Sequence, residues 1–342
     1  MSKYGFGIIG CGVISDNHAR AIDINERAEL IAVCDVIEEK ALDLKGKYDV
    51  PYHYSDYKEM LKRKDIDIIC ICTPSGMHSQ MTIDAAKSGK HVFCEKPIDI
   101  TKDKISKMIE SCRNNNVKLG CVFQRRLMPE AVAVKKALAN QKLGKMVLAD
   151  AYMKYYRSPE YYDSADWRGT WELDGGGALM NQGVHGIDLL LWLAGDVKSI
   201  QANTGNLARD IEVEDTAVAL LEFKNGAYGV IEGTTSVYPA QKTRIEIHGR
   251  EGTIIFGDSG FERWQTLADE KDTFPDFESE KVGGSSDPKD ISISGHIKLI
   301  DDMVSAVEED RNPLITGESA RKAVDLILAI YESSKTGKKV YL

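Results

Sequence analysis

The first 122 residues alternate short apolar runs with longer amphipathic segments, and this pattern constrains the fold more than any other feature. The apolar runs occupy residues 4–9, 30–34, 66–71, 91–94 and 118–122. Segments with helical spacing occupy residues 14–24, 38–47, 77–88 and 102–114. Strands that alternate with crossover helices predict an α/β domain with a doubly wound parallel sheet. Such a sheet binds ligands at the carboxyl ends of its strands.

The pattern changes near residue 122. The predicted elements beyond it are a helix at 129–140, strands at 146–156, 215–223, 227–235, 243–248 and 253–256, and closing helices at 296–310 and 318–335. Asn225-Gly226, between two of these strands, is a hairpin signal. Successive strands joined by short turns predict an α+β domain with a large, mainly antiparallel, open-faced sheet. We therefore expect two domains, residues 1–122 and 123–342, with final helices able to pack back on the first domain.

Composition restricts the class of protein. The 342 residues include 44 Lys and Arg against 53 Asp and Glu, a net charge of −9 without a basic stripe, so no nucleic-acid partner is expected. No apolar run approaches the roughly 18 residues of a membrane span, so no membrane partner is expected. The seven cysteines all lie in the first 121 residues, and their odd number argues for a reducing cytoplasm. Cys70 and Cys72 have no second pair and the histidines are scattered, so no metal site is predicted.

A glycine-rich turn ends the first apolar run, with the sequence Gly10-Cys11-Gly12-Val13-Ile14-Ser15. It departs from the dinucleotide fingerprint G-x-G-x-x-G only at its last position. The first glycine suits a tight turn, the second lets backbone N–H groups approach a pyrophosphate, and the following helix supplies positive partial charge. Asp35 ends the next strand, 23 positions after Gly12, near the spacing of a ribose-binding carboxylate. The pattern predicts a Rossmann site for NAD; NADP is disfavoured because Asp35 would repel a 2′-phosphate.

Two further strand ends carry polar side chains. The turn 73–75 leads to His78, which is equally compatible with a cofactor contact and with a solvent-facing residue at a helix start. The triplet Glu95-Lys96-Pro97 follows the strand at 91–94. A partly buried lysine at a strand end over a cofactor cleft can act as an acid or a base. The alternative for Lys96 is a surface ion pair with Glu95.

Three motifs occur in a recognisable order: the glycine-rich turn, the turn Thr73-Pro74-Ser75-Gly76-Met77-His78, and Glu95-Lys96-Pro97. Together they resemble the glucose–fructose oxidoreductase, inositol dehydrogenase and MocA family, over essentially the whole chain. The resemblance implies that Lys96 lies beside the nicotinamide and takes part in catalysis. It also implies a homo-oligomer, a tetramer or a dimer, formed through the open face of the second sheet.

A second candidate region spans residues 167–188 and resembles a sugar-dehydrogenase branch of the family. Asn181, His185 and Asp188 are spaced i, i+4 and i+7, which places them on one face of an α-helix. Position alone leaves His185 open between a core histidine and a residue of a wet cleft. The resemblance implies that His185 accepts or donates the proton, with Asn181 where the family commonly has Asp. Asn181 can orient the imidazole but cannot stabilise imidazolium by charge, so more of the proton transfer would fall to Lys96.

The predicted site residues form three groups. The catalytic group is Lys96, His185 and Asn181. The cofactor contacts are Gly10, Gly12, Val13, Ile14, Asp35, Thr73, Pro74, Ser75, His78, Glu95, Lys96, Gln124, Trp167 and Arg168. The substrate contacts are Lys96, Arg125, Tyr155, Arg157, Asn181 and His185. Arginine suits an anionic sugar and tyrosine its apolar faces, whereas the alternative is that these side chains cover a domain junction.

The predicted function is an NAD-dependent oxidoreductase that transfers a hydride between nicotinamide and a secondary hydroxyl or ketone. The substrate is expected to be a sugar, a sugar derivative or a polyol, inositol-like or a pyranoside, with a nucleotide-linked sugar among the options. Two alternatives remain from the sequence. One is a non-catalytic NAD-sensing regulator on the same fold, and the other is a double-bond or imine reductase of the biliverdin reductase kind.

Overall fold

The computed structural model describes residues 3–276 and 292–342. The chain forms two compact units: Met1–Gln124 with Ile293–Arg321, and Arg125–Ser292 with Lys322–Leu342. The division after Gln124 lies close to the predicted boundary after residue 122, and residues 293–321, in the region of the predicted final helices, belong to the first unit. Among the described helices, none is both long and apolar enough to cross a bilayer.

The described residues contain fourteen strands and ten α-helices. The strands are β1 (Tyr4–Ile9), β2 (Ala28–Cys34), β3 (Tyr52–Tyr54), β4 (Ile68–Ile71), β5 (His91–Cys94), β6 (Leu119–Cys121), β7 (Met146–Lys154), β8 (Val197–Gly205), β9 (Thr216–Phe223), β10 (Tyr228–Thr234), β11 (Arg244–Gly249), β12 (Gly252–Gly257), β13 (Gly260–Thr266) and β14 (Val340–Tyr341). The helices are α1 (Ser15–Ile24), α2 (Glu38–Lys47), α3 (Tyr57–Leu61), α4 (His78–Lys87), α5 (Lys102–Asn114), α6 (Pro129–Ala139), α7 (Pro159–Asp163), α8 (Val184–Ala194), α9 (Ser294–Glu308) and α10 (Gly317–Thr336).

The first unit is built on a six-stranded parallel sheet with the order β3-β2-β1-β4-β5-β6. Parallel strands covered on both faces have to be apolar throughout, and all four residues of β4 are buried. The strand order reverses between β1 and β4, so the carboxyl ends of these strands flank the switch-point crevice. The predicted doubly wound parallel sheet is confirmed.

Helix α9 belongs to the first unit, although it lies far along the chain. Its apolar face buries Leu299, Ile300 and Met303, and such a face must pack against a core. α9 packs on α1, and Arg27, just beyond α1, donates from Nη2 to Asp301 Oδ1 at 2.6 Å. The first unit therefore takes one core helix from the distal part of the sequence.

The second unit contains an eight-stranded sheet with the order β13-β12-β11-β7-β10-β9-β8-β14. β7 and β10 pair in parallel, whereas the other neighbours pair antiparallel. Burial alternates along β9: Ala219 and Leu221 are buried, while Val218 and Leu220 on the opposite face are exposed. The predicted large, mainly antiparallel, open-faced sheet is confirmed, with one parallel pair inside it.

Candidate active site

The glycine-rich turn joins β1 to α1 at the switch point of the first unit. Gly10 has φ +91°, and a Cβ at this position would lie 2.7 Å from the carbonyl oxygen of Cys72. Its N–H donates to the Cys34 carbonyl at 2.8 Å. Only glycine adopts this conformation beside a neighbouring backbone without strain. Gly10 therefore fixes the tight turn as predicted.

Gly12 has a different role. A Cβ added there would meet no atom within 4 Å, so this part of the turn faces open space. α1 begins three residues later, and its N-terminal N–H groups and positive dipole end favour an anion. Ser15, at the last position of the fingerprint, donates from Oγ to the Gly12 carbonyl at 2.6 Å and tightens the turn. The room at Gly12 fits a pyrophosphate, and exposed Val13 and half-buried Ile14 lie beside it.

Asp35 lies beside the turn at the end of β2. Its Oδ2 accepts from the N–H of Cys11 at 2.7 Å, and its Oδ1 accepts from the N–H of Ile37 at 2.9 Å. The carboxylate is half-buried. A carboxylate at this position can bind ribose hydroxyls and disfavours a 2′-phosphate. The Asp35 carboxylate at the end of β2 therefore fits NAD.

His78 is neither solvent-facing nor turned toward a cofactor, so both predicted roles need correction. It is 1% exposed. Its Nδ1 lies 2.9 Å from the Pro97 carbonyl oxygen, and its Nε2 lies 2.9 Å from the Thr73 carbonyl oxygen. The ring thus ties the turn after β4 to the triplet after β5. Thr73 and Pro74 remain half-buried at the strand end, and Ser75 is buried.

Glu95 also needs correction as a cofactor contact. It is 5% exposed, and its carboxylate lies against His18 and His296 inside the first unit. The alternative of an ion pair at the surface is likewise excluded, because the Glu95 carboxylate is buried. The backbone N–H of Lys96 donates to Glu95 Oε2 at 3.0 Å. Lys96 itself is half-buried at the carboxyl end of β5.

Gln124 follows β6 at the same edge of the sheet. Its Oε1 is buried and has no hydrogen-bond partner among residues 3–276 and 292–342. A buried amide oxygen without a donor is costly, so it is suited to accept from a ligand N–H. The prediction of Gln124 as a cofactor contact fits this orphaned atom.

In the second unit, Asn181 and His185 lie on consecutive but different helical segments. Asn181 belongs to a π-helical turn, Ala178–Gly183, and His185 to the first turn of α8. π-Helical turns are rare and are frequent at functional sites. Both side chains are half-buried, so solvent can reach them.

Asp188 does not share that surface, which corrects the predicted single helical face. It is 1% exposed and accepts from Arg126 Nε at 2.8 Å and Nη2 at 2.5 Å. Burial raises the pKa of Asp188 to about 6, against the two hydrogen bonds from Arg126. Asp188 lies three positions after His185 in α8, about 60° away around the helix, and this offset turns its carboxylate toward Arg126.

Asp174 was missed by the sequence analysis and lies directly behind Asn181. It is 2% exposed; its Oδ1 accepts from Asn181 Nδ2 at 2.5 Å, and its Oδ2 accepts from the Gly169 N–H at 2.9 Å. The three glycines that follow Asp174 serve another contact, since Gly177 donates its N–H to Glu214, so no sequence pattern marks the role of Asp174. Asp174 brings a negative charge to the predicted catalytic region.

Two arginines meet one tyrosine beside Asn181. Gln182 donates from Nε2 to Tyr161 Oη at 2.8 Å and accepts from Arg157 Nη2 at 2.7 Å. Arg168 donates from Nη1 to the same tyrosine oxygen at 2.6 Å, and its guanidinium lies 4.6 Å from the Trp167 ring centroid. The half-buried Arg168 suits an anionic ligand. Arg157 is 3% exposed and bonded to Gln182, so it is corrected as a substrate contact. The role of Trp167 and Arg168 as cofactor contacts stays a prediction, since both belong to the second unit.

Arg125 and Tyr155 are corrected as substrate contacts. Arg125 Nη1 lies 2.9 Å from Asp258 Oδ1 and 2.8 Å from Thr243 Oγ1. The Tyr155 hydroxyl lies 2.6 Å from the same Thr243 oxygen. Arg125 and Tyr155 are 8% and 3% exposed. A buried guanidinium has to satisfy its charge internally, and Arg125 does so with Asp258. These side chains form an internal network of the second unit.

The described parts of the chain contain two groups of three side chains whose possible metal-ligand atoms lie within 4.8 Å of one another. The first group is His18, Glu95 and His296, and the second is Asp150, Glu246 and His248. Neither was predicted. In the second group, Glu246 pairs with Arg244 at 2.7 Å, and Asp150 accepts the Val230 N–H at 2.7 Å. These contacts already engage two of its carboxylates.

Comparison with known proteins assigns the family. Residues 4–123 match the oxidoreductase family with an NAD-binding Rossmann fold, and residues 131–255 match the GFO/IDH/MocA C-terminal domain. The chain is 34% identical to the WlbA dehydrogenase from Bordetella pertussis, solved in complex with NADH and UDP-GlcNAcA; the match covers 99% of each chain with a TM-score of 0.88. It is 28% identical to myo-inositol 2-dehydrogenase of Thermotoga maritima over 98% of each chain.

A further relative, the uncharacterized oxidoreductase YrbE of Bacillus subtilis, is 30% identical over 74% of this chain and 73% of that protein. The predicted family resemblance and the predicted cofactor are confirmed by these matches. The site of the first unit fits NAD in its turn, its ribose-binding carboxylate and its orphaned amide oxygen. The chain belongs to the GFO/IDH/MocA family of NAD-binding oxidoreductases.

Proposed function

We propose that this chain is an NAD-dependent dehydrogenase that oxidises a secondary hydroxyl of a nucleotide-linked sugar acid of the UDP-GlcNAcA kind. The observation that carries the proposal is the 34% identity, over 99% of each chain, to a WlbA dehydrogenase that was solved with NADH and UDP-GlcNAcA. Arg168, which is half-buried and donates to Tyr161, supports an anionic substrate. A free polyol would give the Arg168 guanidinium no charge to bind.

NAD, when bound, supplies the hydride acceptor for this reaction. The residues of the first unit that would hold it are the turn at Gly10 and Gly12, the Asp35 carboxylate and the Gln124 amide. In the proposal, Lys96 and His185 move the hydroxyl proton. An unprotonated lysine amine and a neutral imidazole are both competent bases. General acid–base catalysis of this kind is worth about 10²- to 10⁴-fold.

Asn181 and Asp174 complete the proposed proton site of the second unit. Asn181 is held by two side chains, because its Nδ2 donates to Asp174 and its Oδ1 accepts from Gln182 Nε2 at 3.0 Å. The amide therefore has a fixed orientation in the turn that leads into α8. The carboxylate of Asp174 supplies the charge that an asparagine does not carry.

The substrate class is tested by initial rates of NADH formation on a matched panel. The panel contains UDP-GlcNAcA, UDP-GlcNAc, myo-inositol and levoglucosan, each offered with NAD and with NADP. The proposal expects the highest kcat/KM for UDP-GlcNAcA with NAD, and a lower value for UDP-GlcNAc because that substrate lacks the carboxylate. Faster turnover of myo-inositol or levoglucosan would overturn the substrate class. Tight NAD binding without turnover of any sugar would overturn catalysis and favour a regulator.

Assembly and location form part of the same proposal. The second sheet exposes Leu148, Val218, Leu220 and Tyr228 on its open face, and a sheet face of this kind is suited to a self-complementary contact with a second copy. We therefore propose a homotetramer formed through it. The seven cysteines all lie among the described residues and none forms a disulfide, which supports a cytoplasmic, reducing location in carbohydrate metabolism.

A further inference from the structure

A buried carboxylate connects three elements of the first unit directly behind Lys96. Glu95 Oε1 lies 2.9 Å from His18 Nε2, on α1, and 3.4 Å from His296 Nε2, on α9. Both histidines are 0% exposed, and Glu95 is 5% exposed. The two rings stand edge to face, with centroids 5.2 Å apart. We call His18, Glu95 and His296 the carboxylate cluster.

The ring nitrogens that do not face Glu95 indicate which nitrogen of each histidine carries the proton. Nδ1 of His18 and Nδ1 of His296 are buried and have no hydrogen-bond partner within the described part of the chain. A proton on either Nδ1 would be a buried donor without an acceptor, which is unfavourable. Each imidazole is therefore best satisfied with its proton on Nε2, where it donates to Glu95 Oε1. Burial lowers the pKa of His18, in agreement with a neutral ring.

The same nitrogens argue against a metal ion in the cluster. A metal-bound histidine almost always donates its other ring N–H to a second partner, and neither Nδ1 has one among these residues. Burial alone would raise the pKa of Glu95, but the hydrogen bonds from His18 and His296 outweigh it and hold this pKa well below its usual range. The cluster is thus an ionised carboxylate with two imidazole donors.

The second carboxylate oxygen leads to Lys96. Glu95 Oε2 accepts from the Lys96 backbone N–H at 3.0 Å. On the other side of Lys96, the Pro97 carbonyl oxygen lies 2.9 Å from His78 Nδ1. The backbone on both sides of Lys96 is therefore anchored to buried side chains of the first unit. Burying an ionised carboxylate costs free energy, and apolar side chains in the same place would stabilise the fold at least as well. The ionised cluster is therefore expected to have a role beyond packing.

We propose that His18 and His296 are positioning residues for Lys96 and act on it through Glu95. The two imidazoles fix the Glu95 carboxylate, which fixes the Lys96 backbone and hence the origin of its side chain. The inference rests on the proposed function, since that proposal gives Lys96 its part in proton transfer. A displacement of a catalytic group by about 1 Å can cost about 100-fold in rate.

Two substitutions of the same histidine separate positioning from packing. His18→Leu removes the donor to Glu95, whereas His18→Gln keeps an N–H donor at the place of Nε2. Glu95→Gln is a second variant of unchanged shape, whose single amide oxygen cannot accept from both imidazoles and from the Lys96 N–H. His91→Leu is the matched control, because His91 lies at the other end of β5 and contacts the Lys118 N–H instead.

The environment of the Lys96 amine is measured without any substrate. The measured quantity is its rate of acetylation by acetic anhydride, quantified by peptide mass spectrometry. We expect a several-fold change in this rate for His18→Leu and Glu95→Gln, and none for His18→Gln or His91→Leu. With substrate, kcat should fall by about 10- to 100-fold in the first two variants while KM for the sugar and NAD affinity stay within about threefold. Thermal unfolding establishes that each variant is folded.

The outcomes separate this proposal from the proposed function. Unchanged acetylation of Lys96 in folded His18→Leu and Glu95→Gln would overturn the positioning role, whatever the activity. In a Lys96→Met background, His18→Leu should cause no further loss of kcat; an additional loss of the same size would show that His18 does not act through Lys96. Full activity of Lys96→Met would instead overturn the part of the proposed function that gives Lys96 a role in proton transfer. If the purified protein contained a stoichiometric metal that His18→Gln loses, the carboxylate cluster would be a metal site and the positioning role would be overturned.

Discussion

At the residue scale, Asp174 carries a charge that the neighbouring Asn181 lacks. Its carboxylate oxygen lies 2.5 Å from Asn181 Nδ2 and is almost fully buried. Charges act further in a poorly solvated region than in water. A carboxylate next to the residue four positions before His185 can therefore favour the protonated imidazole, which asparagine alone cannot do. Asn181 and Asp174 together provide an orienting amide and a negative charge.

Restoring an acid at position 181 tests this arrangement. Asn181→Asp places two carboxylates at hydrogen-bond distance, so one of them must bind a proton with a raised pKa. A raised acid pKa in the folded state makes the fold more stable as pH falls through it, and less stable above it. We expect a loss of about 1 to 3 kcal/mol at pH 8 that shrinks by pH 5. Thermal unfolding at both pH values measures it.

The double variant Asn181→Asp with Asp174→Asn is the control for that prediction. It restores one acid and one amide to the pair with their positions exchanged. Its unfolding temperature should return toward that of the wild type at pH 8. Equal destabilisation of Asn181→Asp at pH 5 and pH 8 would contradict the charge argument and indicate a packing effect.

Asp35 sets the cofactor preference at the same scale. Asp35→Ala removes the carboxylate that suits ribose hydroxyls and repels a 2′-phosphate. We expect the ratio of kcat/KM with NAD to that with NADP to fall by about tenfold or more. Asp35→Ser is the companion variant, because it keeps an oxygen acceptor for the Cys11 N–H while it removes the charge. A wild-type preference for NADP would contradict this interpretation of Asp35.

At the element scale, two glycines of one turn should respond in opposite ways. Gly10→Ala puts a side chain at φ +91° against the Cys72 carbonyl, so it should lower stability by about 1 to 3 kcal/mol. Gly12→Ala meets no protein atom within 4 Å, so its stability should be unchanged. Its methyl group fills the room for the pyrophosphate, and NAD should bind at least about tenfold more weakly.

Calorimetric titration of NAD and thermal unfolding test this pair. Normal NAD affinity in Gly12→Ala would place the pyrophosphate elsewhere. Unchanged stability in Gly10→Ala would contradict the tight-turn role of that glycine.

Elements with a strong periodic signal were predictable from the sequence, and weak or distant ones were not. β1, β5, α2 and α5 have the predicted bounds, because each is a clear apolar run or a clear helical repeat. β3 was missed, since its three residues are too short to form an apolar run and only its pairing with β2 defines it. β8 and β13 were also missed, because polar and charged residues interrupt both runs, and in β13 only Gly260 and Trp264 are buried.

The site was predictable where its residues follow strand ends, and not where it depends on distant partners. Gly10, Asp35 and Lys96 end strands of a parallel sheet, so topology alone gathers them. His18 and Glu95 are 77 positions apart, and His296 and Glu95 are 201 apart. No local pattern marks such a cluster. The same holds for Arg125, whose partner Asp258 lies 133 positions away and keeps it from a substrate.

At the scale of the whole molecule, the open face of the second sheet is the surface that assembly would use. Leu220 and Tyr228 are 59% and 63% exposed on it. The double variant Leu220→Glu with Tyr228→Glu should dissociate the proposed tetramer into smaller species, because charges would be buried without partners. Light scattering after size-exclusion chromatography measures the mass.

Leu207→Glu is the control for assembly, as Leu207 is 74% exposed but lies outside the strands of the sheet. It should leave the oligomer intact. A monomeric wild type, or equal dissociation by Leu207→Glu, would contradict assembly through this face.

The two units divide the work of the proposed reaction, with the cofactor residues and Lys96 in the first and His185 in the second. The most direct test compares kcat of the wild type, Lys96→Met and His185→Ala on the best sugar of the panel, together with NAD affinity. The account predicts a fall of about 10²- to 10⁴-fold in kcat for each variant, with NAD binding within about threefold of the wild type. Near wild-type turnover in either variant would remove that side chain from the mechanism.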